Sequence, residues 1–356
     1  LFFLLLFFAA GQFFLILQLF SSKSPIEMDN IPQKDTSKGY CLPEEPIVRK
    51  KITIVGAGNV GATAAFIAAS RDLGHIVLLD IVPSLAEGKA LDIAQSAGVY
   101  PFSVRVTGTT NWDIAADSDI VIITSGLARK PGMSRDDLLF KNAEIVRSVT
   151  KQIVHTSPDA FIIVVCNPLD AMVYTAAAVS GFPMHRVMGM AGALDSARFA
   201  AFIAEQAGVS ISQVSAVLMG GHGDDMVPLP RYTTVGGIPL TEFLDAQTIR
   251  QLVERTRNGG IEIVNHLGTS AYYAPAAGAV RMAQAILHDE KVLMSCCVYC
   301  EKQYRVGGAF VGVPAILGAD GVERIVELEL TEEEQKALDI SVAHVKALVE
   351  KVKTVL

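Results

Sequence analysis

Positive charge is in short supply. Lys and Arg together number 30 against 37 Asp and Glu, a formal net charge of −7. That balance argues against a generally basic surface of the kind that nucleic acids select. Cysteine is also scarce. Cys41, Cys166, Cys296, Cys297 and Cys300 are five in a chain of 356 residues, an odd count too sparse for a disulfide framework. Cys297 and Cys300 form a CxxC, but no second pair accompanies it and no histidine stands at zinc-finger spacing. Ordinary reduced thiols are expected there, with redox sensing or adventitious metal binding as the other reading. There is no HExxH and no set of His and carboxylates at ligand spacing, so no metal site is expected. No internal repeat is evident.

The N-terminal stretch lacks charge altogether. Residues 1–20, LFFLLLFFAAGQFFLILQLF, are apolar and about long enough to span a bilayer as a helix. They lack the positive n-region of a secretory signal and the Arg-rich pattern of a transit peptide. Basic residues follow instead: Lys23, Lys34, Lys38, Arg49, Lys50 and Lys51. A genuine anchor would therefore leave the next domain in the cytoplasm. The chain begins with Leu1, and Met28 is an alternative start. Two readings stand: an extension outside the working protein, or a real anchor or targeting segment. Membrane association is expected only in the second case, and a cytoplasmic protein in the first. Residues 21–48 read as a Ser/Pro/Lys/Glu-rich linker.

From Lys51 onward the pattern is rich. Hydrophobic residues make up 51% of the chain, enough for two packed domains. Short apolar runs at residues 52–55, 76–80, 120–124, 161–165 and 187–190 are predicted strands. Segments with helical apolar spacing, such as 60–70 and 138–150, lie between them. Buried strands separated by helices mean βαβ units and a parallel sheet. The texture changes near residue 192. Beyond it, 196–207 is predicted helical, and 215–219 and 310–317 are predicted strands. The second of these strands leads into the turn Gly318-Ala319-Asp320-Gly321. Thr331 and Glu334 have the spacing of a capping box. Leu338, Val342, Val345, Val349 and Val352 then recur as one face of a final helix.

Gly56-Ala57-Gly58-Asn59-Val60-Gly61 is a GxGxxG between a predicted strand and a predicted helix. Gly56 allows the tight turn, Gly58 lets backbone approach a pyrophosphate, and Gly61 lets helix and sheet pack closely. The helix N-terminus offers free amides and its positive dipole end to phosphates. Asp80 ends the next predicted strand, where an acid accepts hydrogen bonds from a ribose 2′-hydroxyl. A 2′-phosphate would be repelled there, and Ile81 follows rather than arginine, so NAD is expected over NADP. The alternative is a glycine turn with no ligand. The expected fold class is α/β: a Rossmann-type doubly wound parallel sheet followed by an α+β domain. The expected divisions are an extension at 1–48, an NAD-binding domain at 49–192 and a substrate domain at 193–356.

Several clusters carry further chemistry. His222 stands in Gly220-Gly221-His222-Gly223-Asp224, after a predicted strand. Glycines leave the ring accessible, and an imidazole suits proton exchange near neutrality. The other six histidines read as ordinary. Asp195 and Arg198, three apart where a helix opens, can project from one face. Asp195 could orient His222 and favour its protonated form, and Arg198 could clamp a carboxylate in bidentate fashion. The competing reading is an N-cap aspartate beside a surface arginine. Arg129 and Arg135 lie six apart in the Gly/Pro-containing segment that runs from Ala128 to Arg135. That pattern fits a mobile lid carrying positive charge, or else a solvated basic turn. Val165, Cys166 and Asn167 lie at the C-terminal end of a predicted parallel strand, where α/β sheets place ligands. All three are candidate cofactor contacts, and the Asn167 amide also suits substrate.

In this order, GAGNVG, ARKPGMSRDDLL, NPLDAM, LDSARF and GGHGDDMVP resemble the lactate/malate dehydrogenase family, and within it the lactate-dehydrogenase-like malate group. The resemblance runs from about Lys51 to the C-terminus. It implies NAD as cofactor, a small 2-hydroxy acid as substrate, and a homodimer or homotetramer. It makes His222 the proton donor and acceptor, Asp195 its partner, and Arg198 the clamp on the C1 carboxylate. It makes Arg135 the group that polarises the reacting carbonyl and Asn142 a further NAD contact. Ala271 falls where many lactate enzymes carry threonine. At Arg129, where members choose their substrate, arginine matches the second carboxylate of malate or oxaloacetate, whereas lactate enzymes commonly carry glutamine. The rivals are a lactate dehydrogenase, an NAD-dependent glycosidase on a similar domain, a non-catalytic NAD-binding protein, and a membrane-tethered form of the same enzyme.

Overall fold

A computed structural model describes residues 49–127 and 134–356. The apolar run at 1–20, the linker, Met28, Cys41 and Arg129 lie outside the described residues. No helix among the described residues is long and apolar enough to cross a membrane.

The first half follows the expected alternation. Strand β1 (Lys51–Val55) leads to helix α1 (Asn59–Ser70), then β2 (His75–Leu79), α2 (Pro83–Ser96), β3 (Val106–Thr109) and β4 (Ile120–Ile123). Helix α3 (Arg135–Thr156), β5 (Phe161–Val164), α4 (Leu169–Ser180) and β6 (Val187–Gly189) complete it. The six strands lie in the order β3-β2-β1-β4-β5-β6, and every pairing among them is parallel. Their side chains alternate between two cores, as a doubly covered sheet requires. Ile52, Ile54, Ile76, Leu78, Ile120 and Ile122 enter one core, and Val55, Val77, Leu79, Val121 and Ile123 the other.

The second half begins with α5 (Ala191–Ala207). Short strands β7 (Val214–Ser215), β8 (Leu218–Gly220), β9 (Met226–Pro228), β10 (Thr234–Val235) and β11 (Ile238–Pro239) follow. Helices α6 (Ala246–Leu267) and α7 (Tyr273–Leu287) come next. Strands β12 (Val292–Cys300), β13 (Ala309–Gly318) and β14 (Gly321–Ile325) precede the last helix, α8 (Glu332–Lys353). The main sheet does not stop at β6: β12, β13, β8 and β9 continue it, with antiparallel pairing. The run expected as one strand at 215–219 is two, because the chain changes sheets there. Strand β7 joins a small sheet with β10 and β11, and β8 joins the main one.

The CxxC lies within β12, where neighbouring residues face opposite sides. Cys296 and Cys300 enter one core and Cys297 the other, so the two thiols of the motif point apart. All three are buried and free, and burial pushes Cys296 and Cys300 up to about 12. Thiols held that firmly protonated are poor nucleophiles and poor ligands.

Helices α1 and α7 pack through small residues. Ala64, Ala65, Ala68 and Ala69 are fully enclosed, as are Ala276, Ala279 and Ala283. The Thr331 capping box is present, and Leu338, Val342, Val345, Val349 and Val352 form the buried face of α8.

Candidate active site

Strand ends and helix starts converge on the C-terminal edge of the parallel strands, as expected for an open α/β sheet. After β1 the chain turns at Gly56 (φ +107°). A Cβ at Gly61 would collide with the Gly56 carbonyl oxygen, so only glycine lets α1 start so close to the turn. Gly58 holds the N-cap position without a side-chain cap, and no acidic residue occupies the first turn of α1. A Cβ built on Gly58 has no neighbour within 4 Å, so the space over these amides is open. Such a helix start favours an anionic pyrophosphate.

Asp80, directly after β2, braces the turn. Its Oδ2 accepts the Ala57 amide at 2.6 Å and its Oδ1 accepts the Val82 amide at 3.0 Å. Asp80 also lines a cavity of about 510 Å³ with Gly56, Gly58, Ile81, Leu85 and Trp112. Ser125 Oγ, at the same cavity, is enclosed and has no hydrogen-bond partner. An apolar slot with a carboxylate at one edge and open helix amides beside it fits an adenosine dinucleotide.

A second cavity of about 430 Å³ shares Thr124, Gly126 and Leu127 with the first. Val60, Val165, Cys166, Asn167, Arg198, His222 and Ala271 line it. Burial pushes the Cys166 thiol up to about 12, so it presents a neutral, weakly polar wall. Asn142 is held by hydrogen bonds within the protein. It is only 1% exposed, and its side chain accepts the Leu127 amide at 2.7 Å and donates to the Leu127 and Asn167 carbonyls at 3.2 and 2.6 Å. It ties the 126–127 segment, which borders both cavities, to the strand end at Asn167.

Two lining residues of the second cavity, His222 and Arg198, are joined behind its wall by the carboxylate of Asp195. His222 Nδ1 lies 2.8 Å from Asp195 Oδ2, and Arg198 Nη1 donates to Asp195 Oδ1 at 3.3 Å. Helix α5 starts at Ala191, not near Ser196, so Asp195 sits past the first turn and is no N-cap. Its side chain is 3% exposed, against 13% for Arg198 and 16% for His222. A carboxylate that deep requires partners, and these two satisfy it. Burial lowers the His222 pKa, but the Asp195 charge and hydrogen bond, with Asp170 behind them, outweigh burial and the Arg198 charge. The net effect raises it above the usual 6.5. Because Nδ1 faces Asp195, Nε2 is the nitrogen left for chemistry. Burial lowers the Arg198 pKa, with Asp195 opposing. Its Nε is enclosed without a partner, leaving donor capacity for an anion.

Arg135 stands apart from these three residues. It is the first residue of α3, behind the Ser134 capping box, largely exposed and 3.9 Å from Asp224. Both features put it at the cleft rim next to the histidine turn. Sequence reading missed the cleft wall supplied by α6: Arg257, Asn258, Gly260, Ile261 and Val264. A signal existed. Gly259-Gly260 interrupts a strongly amphipathic helix, at about 1 kcal/mol each relative to alanine. A Cβ at Gly259 would lie 3.3 Å from Arg198 Cδ, and one at Gly260 3.8 Å from Arg198 Nη1. Gly259 leaves room for the Arg198 stem, whereas a Cβ at Gly260 would be in ordinary contact with the guanidinium.

Comparison with known proteins agrees with this geometry. The model of the lactate/malate dehydrogenase NAD binding domain matches residues 50–189, and that of the lactate/malate dehydrogenase alpha/beta C-terminal domain matches 192–356. A malate dehydrogenase of Salinibacter ruber is 54% identical over 296 residues, 83% of this chain and 94% of that protein. A solved malate dehydrogenase structure from Salinibacter ruber superposes with TM-score 0.82 at 50% identity, covering 85% of this chain and 98% of that one. A Cryptosporidium parvum lactate dehydrogenase, complexed with lactic acid and nicotinamide adenine dinucleotide, superposes with TM-score 0.84 at 42% identity, covering 86% of this chain and 99% of that one. From residue 50 to its C-terminus, the chain is a member of the lactate/malate dehydrogenase family.

Proposed function

We propose that the chain is an NAD-dependent malate dehydrogenase, interconverting (S)-malate and oxaloacetate. The carrying observation is Asp195 held between His222 and Arg198 in the cleft beside the glycine turn. One carboxylate thereby orients both the proton carrier and the anion clamp.

When bound, NAD accepts a hydride from C2 of malate, and NADH returns it to oxaloacetate. His222 Nε2 takes the malate hydroxyl proton, and Asp195 stabilises the imidazolium that forms. In the reverse direction the protonated ring donates. Arg198 holds the C1 carboxylate through paired N–H bonds. Arg135, at the cleft rim, polarises the C2 oxygen. Arg129 pairs with the second carboxylate, and this separates malate from lactate. An arginine facing the methyl group of pyruvate would be left desolvated and unpaired, a loss of about 1–3 kcal/mol or more. Asp80 holds the adenosine ribose, with Gly56, Ala57, Gly58, Asn59, Val60 and Gly61 around the pyrophosphate. Val165, Cys166 and Asn167 bound the nicotinamide end, and Ala271 closes the wall beside it.

The same reading divides the labour near residue 192, with cofactor binding before it and substrate handling after. It makes the enzyme a cytoplasmic homo-oligomer serving the malate step of the tricarboxylic acid cycle. Exposed Phe66, Leu91, Val99 and Tyr100 support association with a second copy. Deuterium tracing tests the reaction. NADH carrying deuterium at both C4 positions should deliver label to C2 of malate when oxaloacetate is supplied. Label-free malate, or none, would contradict the proposal.

A further inference from the structure

The turn that carries His222 is anchored from behind by two buried side chains on two different helices. Ser341 on α8 accepts the Gly221 amide at 2.8 Å, and Asp170 on α4 accepts the next amide, that of His222, at 3.1 Å. Ser341 is 2% exposed and Asp170 6%. Neither lines the cleft. Asp170 is costly to keep there: its Oδ1 is enclosed without a hydrogen-bond partner, and the Cys297 thiol lies beside it. A buried carboxyl whose long-range backbone partner is the amide of His222 itself is better explained by placement of that amide than by packing.

We propose that Asp170 and Ser341 are positioning residues for proton transfer, fixing the backbone of residues 221 and 222 so that the ring meets both Asp195 and the substrate oxygen. The side chain of His222 is set by Asp195 at Nδ1, and its backbone is set by Asp170 at N. The ring is thus held at two points, from α5 and from α4. With one point removed the imidazole can still pair with Asp195, but the pair swings as a unit relative to C2. Small misplacements of this kind cost turnover far more than they cost binding. Burial raises the Asp170 carboxyl above its ordinary range, against the lowering pull of the His222 amide and the Cys297 thiol.

The inference rests on His222 as the proton carrier, so His222→Gln is measured beside the anchors. Asp170→Ala should lower kcat about tenfold or more, with KM for oxaloacetate and NADH affinity within about threefold of wild type. Asp170→Asn keeps an acceptor at the same place and should recover most of the loss. Ser341→Ala should lower kcat about threefold in the same pattern, and it decides the matter alone if Asp170→Ala does not fold. A kcat within twofold of wild type in the folded alanine variants overturns the proposal. So does a loss shared equally by kcat, KM and NADH affinity. If His222→Gln itself turns over normally, the reading of His222 fails first. If it is inactive while Asp170→Ala is not, only the positioning role fails.

Discussion

Asp195 Oδ2 lies 2.8 Å from Nδ1 of His222, while its other oxygen receives Arg198 at 3.3 Å. One buried carboxylate therefore orients both the ring proposed as proton carrier and the guanidinium proposed as anion clamp. Two residues one helical turn apart, Asp195 and Arg198, meet a histidine from a strand end 27 positions later.

That relationship has a pH signature. Asp195, Asp170 and Arg198 are the charged groups facing His222, and their sum with burial raises its pKa above the usual 6.5. Reduction of oxaloacetate needs the protonated ring. Its kcat/KM should be flat at low pH and fall as pH rises through that raised value. Oxidation of malate needs the neutral ring and should rise over the same window. Asp195→Asn removes the anion while burial still disfavours charge, so the reductive limb should move to lower pH and kcat should drop by about a hundredfold or more. A limb that stays in place would remove Asp195 from the mechanism.

Asp80 makes a separable prediction. Its carboxylate supports the Ala57 amide, and the proposed function has it hold the ribose. Asp80→Asn should weaken NADH binding about tenfold to a hundredfold, since hydrogen bonds to a charged group contribute about 1.5–3 kcal/mol. Discrimination against NADPH should relax in the same variant, because the repulsion of the 2′-phosphate is gone. Titration calorimetry with both cofactors checks this; unchanged NADH affinity would contradict it.

Trp112 is the chain's single tryptophan and lines the slot assigned to adenosine. NADH should therefore quench tryptophan emission saturably, with a midpoint equal to the calorimetric dissociation constant. Emission that is unchanged at saturation would place the adenosine elsewhere.

Much of the site was legible because its chemistry is local in the chain. The glycine turn, Asp80 and the GGHG turn each announce themselves within a few residues. The Asp195–Arg198 pair does so through helical spacing. What the sequence hid depends on contacts made at a distance. Strand β12 was masked by its cysteines, which read as a thiol motif although alternation buries them as ordinary apolar residues. Helix α6 was masked by a glycine doublet, and the close approach of Gly259 to the Arg198 stem exists only in the packed fold. Asp170 is 52 residues from the amide it accepts. Asn142 was named through the family resemblance, and the bonds that tie it to Leu127 and Asn167 span 15 and 25 residues. The split of 214–220 into two strands follows from pairing in two sheets, which no local pattern records.

The most direct test of the account is NADH oxidation at matched concentrations of oxaloacetate and pyruvate, for the wild type and for Arg129→Gln. Wild-type kcat/KM for oxaloacetate should exceed that for pyruvate by about a hundredfold or more, with the preference collapsing in the variant through loss of oxaloacetate turnover. Equal use of the two acids, or a wild-type preference for pyruvate, would contradict it.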